Sequence, residues 1–112
     1  MKIIIDAFGG DHAPVEIVKG AITSVNLLKD VTIVLTGAVE KIQAVLNEYG
    51  YKGDRIQVVD APEIITNNES PTAAIRQKKN SSLVVGLDML KADPQAVGFI
   101  SAGSTGAVLA GA

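Results

Sequence analysis

Phe99-Ile-Ser-Ala-Gly-Ser-Thr-Gly-Ala107 is the stretch that decides the fold class of this chain. The apolar run that ends at Ile100 predicts a buried strand, and the small residues of 101–106 predict a tight loop. The apolar run that starts at Ala107 is typical of the first turn of a helix. A strand, a glycine-rich loop and a helix start present backbone N–H groups and the positive end of a helix dipole to an anion. The stretch therefore predicts a phosphate-type site, although such turns also carry glycine and serine for geometric reasons alone.

The glycines and the hydroxyl residues of this loop have different uses. Gly103 and Gly106 let the backbone approach a ligand closely, because they lack a Cβ. The residues that add hydroxyl donors are Ser101, Ser104 and Thr105. The loop thus offers an oxyanion both backbone and side-chain hydrogen bonds.

The composition indicates an aliphatic core in one small domain. The chain has 112 residues, of which 47% are hydrophobic and only 4% aromatic, as expected where helices cover both faces of a parallel sheet. Its net charge of −2 gives no reason to expect a nucleic acid partner. The absence of cysteine excludes disulfides, thiolate metal sites and a cysteine nucleophile from this chain, and it suits a reducing cytosol. Neither a secretory signal nor a membrane-spanning run is expected.

Strand and helix patterns alternate along the chain. The aliphatic runs predict strands at 2–6, 31–36, 56–59 and 97–101. Helical spacing and turn signals predict helices at 14–29, 42–49, 70–76 and 83–90, with Pro14 in the first helical position and Gly50 ending the second helix. This alternation predicts a three-layer α/β/α fold with a mainly parallel sheet and ligands at the carboxyl ends of its strands. Because an apolar helix start breaks off at Ala112, we expect residues 1–112 to be the opening segment of a longer protein.

The loop after the first strand is a second candidate for the site. Gly9 and Gly10 permit unusual backbone conformations, and Asp6, Asp11 and His12 place polar groups around them. Since loops that follow parallel strands emerge at one edge of the sheet, we expect this loop to lie near the glycine-rich loop. The alternative is a tight turn in which Asp11 or His12 satisfies backbone groups.

This first loop lacks the signatures of better-known sites. Neither a dinucleotide fingerprint nor a P-loop occurs, and the carboxylates of Asp6 and Asp11 are too few to predict a metal site. His12, the single histidine, could act as an acid or base near neutral pH, or it could serve only as a hydrogen-bonding residue.

The basic run Arg76-Gln-Lys-Lys-Asn-Ser-Ser82 is a third candidate. It could be a solvated helix end, or Lys78 and Lys79 could contact an acidic protein partner. However, Ser81 and Ser82 start another helix, so cations and a helix N-terminus lie side by side. That pairing suits an anion.

These three segments resemble, in the same order, motifs of the bacterial phosphate acyltransferases of phospholipid synthesis. Residues 6–14 resemble the family's N-terminal motif, residues 74–82 its Arg-x-Lys-Lys-x-Ser-Ser segment, and residues 101–107 its Ser-Ala-Gly-Asn/Ser-Thr-Gly-Ala loop. Two departures are mild: Phe8 replaces a frequent Met, and Ser104 replaces a frequent Asn. The resemblance covers this whole chain but only the opening portion of the family's chain.

The resemblance implies an enzyme that converts acyl-acyl carrier protein and inorganic phosphate to acyl phosphate without a cofactor. It implies the fold of the isocitrate and isopropylmalate dehydrogenases and a homodimer. It also implies a cytoplasmic protein, with peripheral attachment to the inner face of the membrane through a later part of the chain. We expect the 112-residue segment alone to be inactive.

The resemblance also implies roles for individual residues. The phosphate cradle would be Gly103, Ser104, Thr105 and Gly106, with Ser101 beside it. Charge neutralisation would come from Lys78 or Lys79, with Ser81 and Ser82. The opposite wall would be Asp6, Gly9, Gly10, Asp11 and His12. The residues expected to take part in catalysis are Lys79, Ser104 and His12, and no metal is expected.

Two other functions stay open on the sequence, and a third is disfavoured. The first is a phosphate acetyl- or butyryltransferase that uses coenzyme A thioesters, and the second is a non-catalytic anion-binding module. A nicotinamide-dependent dehydrogenase is disfavoured, because the metal-binding carboxylates that it needs are not visible in this sequence.

Overall fold

A computed structural model describes residues 1–8, 13–63 and 78–101. In this part of the chain, strands and helices alternate as the sequence predicts. The elements are β1 (Lys2–Asp6), α1 (Val15–Leu27), β2 (Thr32–Gly37), α2 (Val39–Glu48), β3 (Ile56–Asp60), α3 (Ser82–Ala92) and β4 (Ala96–Ile100). The helix predicted at 70–76 lies outside the described residues.

The four strands form one parallel sheet in the order β3-β2-β1-β4. The prediction of an α/β protein with a mainly parallel sheet is therefore confirmed. The chain runs outward from β1 through β2 to β3 and then returns to place β4 on the other side of β1. The strand order thus reverses between β1 and β4, and in open α/β sheets such a switch point forms a crevice at the carboxyl edge.

Helices cover both faces of this sheet. On one face, α1 and α2 pack on alternate strand residues, so that Val18 and Ile42 share a buried cluster with Ile33 and Leu35. The intervening residues of the strands point to the opposite face, where α3 contacts β1, β2 and β4. Helices on opposite faces follow from the right-handed crossover rule, because the chain moves in opposite directions along the sheet before and after β3.

Most element boundaries differ from the prediction by one or two residues. The first position of α1 is Val15 rather than Pro14, and Pro14 is the N-cap, which supplies no side-chain hydrogen bond. The helix ends at Leu27 rather than Lys29, because the backbone of Leu28 is already extended. Gly50 follows α2 with a φ of +67°, as its predicted role as a helix stop requires.

Candidate functional site

The site is built around Asp6, the last residue of the central strand β1. Its side chain lies at the carboxyl edge of the sheet, and only 4% of the residue is exposed. Oδ1 accepts hydrogen bonds from the backbone N–H of Phe8, at 2.9 Å, and from the hydroxyl of Ser82. Oδ2 accepts a hydrogen bond from the hydroxyl of Ser101, at 2.9 Å. One buried carboxylate therefore joins three separate segments of the chain.

The first of its partners belongs to the N-terminus of α3. Ser81 is fully buried and caps this helix, because its Oγ accepts the backbone N–H of Val84 at 3.2 Å. Ser82, the first residue of the helix, is buried against Asp6. The prediction that Ser81 and Ser82 start a helix is confirmed. The positive end of this helix consequently lies at the carboxyl edge of the sheet.

The second partner follows β4. Ile100, the last residue of that strand, pairs with Ile5 of β1, so Ser101 comes next to Asp6 at the end of the ladder. The loop after β1 and the glycine-rich loop after β4 therefore begin side by side, as predicted, because both strands end at the switch point. Ser101 is half-buried there.

The two candidate lysines lie immediately before the α3 N-terminus. Lys78 is half-buried, and its backbone carbonyl accepts the N–H of Ser81 at 3.1 Å. Lys79 is exposed to solvent. Cationic side chains and the N-terminus of a helix therefore lie next to each other, an arrangement that favours an anion. The catalytic role of Lys79 stays a prediction.

Eight of the predicted site residues lie outside the described residues, and their roles stay predictions. They are Gly9, Gly10, Asp11, His12, Gly103, Ser104, Thr105 and Gly106. The described part of the site supplies the framework from which both loops leave.

Thr36 is a residue of this framework that the sequence analysis missed. It ends the aliphatic run of β2, is fully buried, and pairs with Asp6 in the sheet register. Its hydroxyl donates a hydrogen bond to the carbonyl oxygen of Ser82 at 2.7 Å. A polar residue directly after the aliphatic run at 33–35, at the carboxyl end of the strand, was the available signal.

A second missed contact holds the lysine-bearing segment. The backbone N–H of Glu63 donates to the carbonyl of Asn80 at 3.2 Å, and the Glu63 carboxylate accepts the N–H of Asn80 at 3.0 Å. Glu63 also forms an isolated parallel bridge with Ser81. The segment that follows β3 thereby fixes the approach to α3.

Residues 1–8, 13–63 and 78–101 contain no cluster of three or more histidine, aspartate or glutamate side chains that could hold a metal ion. Among those residues, no helix has both the length and the apolar character to cross a membrane.

The fold and the site define an α/β protein in which the N-terminus of α3 and two lysines lie beside the buried Asp6, at the topological switch point between β1 and β4. The whole chain, residues 1–112, matches the family described as fatty acid synthesis protein. The chain belongs to that family.

The relatives that it matches are named phosphate acyltransferase. The protein of Halothermothrix orenii is 47% identical over 99% of this chain and 33% of its own length. The corresponding protein of Clostridium tetani is 50% identical over 99% of this chain and 33% of its own length. That of Alkaliphilus oremlandii is 49% identical over 99% of this chain and 32% of its own length. This chain therefore spans about a third of the length of the curated relatives it matches.

Proposed function

We propose that this chain is the amino-terminal third of an enzyme that transfers an acyl group from acyl-acyl carrier protein to inorganic phosphate. Family membership and the name that these relatives share support a phosphate acyltransferase. The motif resemblance supports an acyl thioester of the carrier protein as the donor.

The observation that carries this proposal is the meeting of three motifs at one carboxylate. Ser82 and Ser101 stand 76 and 95 residues from Asp6 in sequence, and both donate their hydroxyls to it. Each belongs to a different one of the segments that resemble the acyltransferase motifs. Their convergence at the switch point supports a single site that all three build together.

The proposed chemistry needs no enzyme nucleophile. An oxygen of hydrogen phosphate attacks the thioester carbonyl carbon, and a tetrahedral oxyanion forms. The C–S bond then breaks, acyl phosphate is left, and the departing thiolate takes up the proton that the phosphate loses. This chain contains no cysteine, and the reaction requires none.

The enzyme's task is therefore to hold phosphate beside the carbonyl and to stabilise the oxyanion. The α3 N-terminus and the neighbouring Lys78 and Lys79 supply positive potential at the described part of the site. We assign the remaining donors to the predicted glycine-rich loop at 103–106. Ser104, Lys79 and His12 are the proposed catalytic side chains.

The proposal extends to the architecture and location of the whole protein. We propose a single larger α/β catalytic domain of the isocitrate and isopropylmalate dehydrogenase type, which the parallel sheet and its switch point support. We further propose a cytoplasmic homodimer that attaches peripherally to the inner face of the membrane through a later part of the chain.

The full-length protein tests the proposal through its choice of thioester. Free thiol is measured after mixing the protein with long-chain acyl-acyl carrier protein or with the matching acyl-coenzyme A, each with and without inorganic phosphate. We expect release that requires phosphate and favours the carrier-protein thioester. Release from acyl-coenzyme A alone would instead indicate an acetyl- or butyryltransferase, and phosphate binding without release from either would indicate an anion-binding module.

A further inference from the structure

The buried carboxylate of Asp6 cannot itself hold phosphate. An ionised carboxylate has no hydrogen to donate, and its negative charge opposes that of a phosphate group. Within the described part of the chain, its two oxygens accept three hydrogen bonds, from Phe8, Ser82 and Ser101. These donors compensate a charge that is almost completely removed from water. Asp6 must therefore serve the site in another way.

The same hydrogen bonds also restrict what the two serines can do. A serine hydroxyl carries one hydrogen. Since Ser82 and Ser101 both give theirs to the carboxylate, neither hydroxyl has a hydrogen left for phosphate in this arrangement. Both serines are predicted from the sequence to bind phosphate, whereas in the structure their hydroxyl hydrogens are given to Asp6.

We propose that Asp6 is a positioning residue that aligns the two anion-binding elements of the site. Through Ser82 it fixes the N-terminus of α3, and through Ser101 it fixes the start of the glycine-rich loop. The hydrogen bond from Thr36 to the Ser82 carbonyl holds the same helix end from the neighbouring strand. Phosphate itself then depends on backbone N–H groups, the lysines and the donors proposed at 103–106.

This inference rests on the proposed function. It predicts that substitutions at Asp6 and Ser101 change kcat and the KM for phosphate to different extents. Several donors on both elements attract phosphate, and most of that attraction survives a small displacement, whereas the alignment of phosphate with the thioester carbonyl depends closely on how the elements are placed relative to each other. Loss of the Asp6 contacts should therefore lower kcat much more than it raises the KM for phosphate. Replacing a serine that donated directly to phosphate would instead raise the KM for phosphate more than it lowers kcat.

The test uses the full-length protein with Asp6→Asn, Ser101→Ala and the double substitution. Asparagine keeps the shape of the side chain but removes the charge and one acceptor oxygen. Because misplacement by about 1 Å can cost on the order of 100-fold in rate, we expect Asp6→Asn to lower kcat by about that factor. Ser101→Ala, the milder change, should lower kcat by roughly tenfold and leave the KM for phosphate within about twofold. The double variant should be no slower than Asp6→Asn alone, because both changes break the same hydrogen bond.

Two control variants repeat the same substitutions away from the site. Asp88→Asn changes an exposed carboxylate of α3, and Ser24→Ala removes a hydroxyl that donates to the Gly20 carbonyl within α1. Both should keep the wild-type kcat and KM. A Ser101→Ala variant that keeps its kcat but needs at least about tenfold more phosphate would overturn the inference. So would independent, multiplicative losses in the double variant.

A second readout separates this inference from the proposed function. If the wild-type protein releases no thiol with phosphate, the proposed reaction is wrong. The same variants are then compared by melting temperature, which needs no activity. Asp6→Asn and Ser101→Ala should each lower the melting temperature, and the double variant should melt no lower than Asp6→Asn. Additive decreases would contradict the shared role of Asp6 and Ser101.

Discussion

The hydroxyl of Thr36 donates a hydrogen bond of 2.7 Å to the backbone carbonyl of Ser82, and both residues are buried. This contact joins the end of β2 to the first turn of α3. It acts on the same serine whose side chain contacts Asp6, so the backbone and the side chain of Ser82 are held by two neighbouring strands. The helix N-terminus at the site is thus fixed by the sheet, in addition to the contacts of the Glu63 segment.

Thr36→Val should destabilise the protein with little change of side-chain volume. The substitution removes the donor and leaves the buried Ser82 carbonyl without this partner, which should cost about 1 kcal/mol in the free energy of unfolding. Urea denaturation of the two proteins measures the difference. Thr32→Val, at the half-exposed start of the same strand, is the matched control. Equal effects of the two substitutions would contradict the importance of the Thr36 contact.

Arg55→Ala should destabilise the end of α1. The Arg55 guanidinium donates to the carbonyl of Val25, in the last turn of that helix. It also donates to two carbonyls that follow the helix, those of Leu28, at 2.7 Å, and Val31, at 3.3 Å. Such charge-assisted bonds at a helix C-terminus should contribute about 2 kcal/mol to the free energy of unfolding. Urea denaturation again gives the difference.

Arg55→Lys tests the geometry of that contact. A lysine keeps the charge but loses the planar arrangement of donors that reaches several carbonyls together, so it should recover less than half of the lost stability. Lys52→Ala, an exposed cation in the same loop, should have little effect. Full recovery by Arg55→Lys would show that charge alone matters.

Gly86→Ala should destabilise the protein even though alanine favours helices. An added Cβ at Gly86 would clash with the ring of Phe99, where α3 packs on β4. Forced packing of this kind costs about 1–3 kcal/mol, which exceeds the gain of about 1 kcal/mol in helix propensity. Thermal unfolding measures the net change.

Gly20→Ala is the matched control for that prediction. Nothing lies within 4 Å of the position that a Cβ would take at Gly20, which is in the middle of α1. This substitution should stabilise the protein by about 0.5–1 kcal/mol. Phe99→Leu should also reduce the loss of stability that Gly86→Ala causes. If that loss were the same with leucine at position 99, the Phe99 ring would not be its cause.

The ion pair of Lys2 and Asp93 should make stability depend on pH in the acid range. The Lys2 ammonium lies 2.8 Å from the Asp93 carboxylate, and its hydrogen bond, together with the backbone N–H of Gln95, lowers the pKa of Asp93 below the usual 3.8. The unfolded carboxyl therefore binds its proton first as the pH falls. The contribution of this ion pair to the free energy of unfolding is complete above about pH 3.8. It is lost as the pH falls through the lower pKa of Asp93 in the folded state.

Asp93→Asn should remove this part of the pH dependence. The urea midpoints of the wild-type and variant proteins should differ most well above pH 3.8 and converge well below it. Asp54→Asn, at an exposed position, is the control. A difference that stays constant with pH would show that Asp93 acts through something other than its charge.

The parallel α/β fold could be predicted from local patterns, whereas the hydrogen bonds that connect its elements could not. Aliphatic runs such as Ile3-Ile4-Ile5 indicate strands wherever they pack, and the pair Ser81-Ser82 indicates a helix start from its own chemistry. The bond from Thr36 to Ser82 spans 46 residues, and no local pattern specifies such a partner. The strand order that places β4 beside β1 is likewise a long-range result of packing.

The candidate site was predictable as a meeting of loops but not in its hydrogen bonding. The edge at which Asp6 and Ser101 lie follows from the parallel sheet. That Asp6 takes the hydroxyl hydrogens of Ser82 and Ser101 depends on burial and side-chain direction, which spacing in sequence does not contain. Arg55 was missed for the same reason, because its carbonyl partners lie 24 to 30 residues away.

The most direct test of the proposed reaction detects acyl phosphate itself. The full-length protein is incubated with long-chain acyl-acyl carrier protein and inorganic phosphate, and the product is trapped with hydroxylamine as the acyl hydroxamate. Parallel reactions without phosphate or without enzyme correct for direct attack on the thioester. We predict enzyme-dependent hydroxamate that appears only when phosphate is present. Free fatty acid as the sole product, or hydroxamate that forms equally without phosphate, would contradict acyl transfer to phosphate.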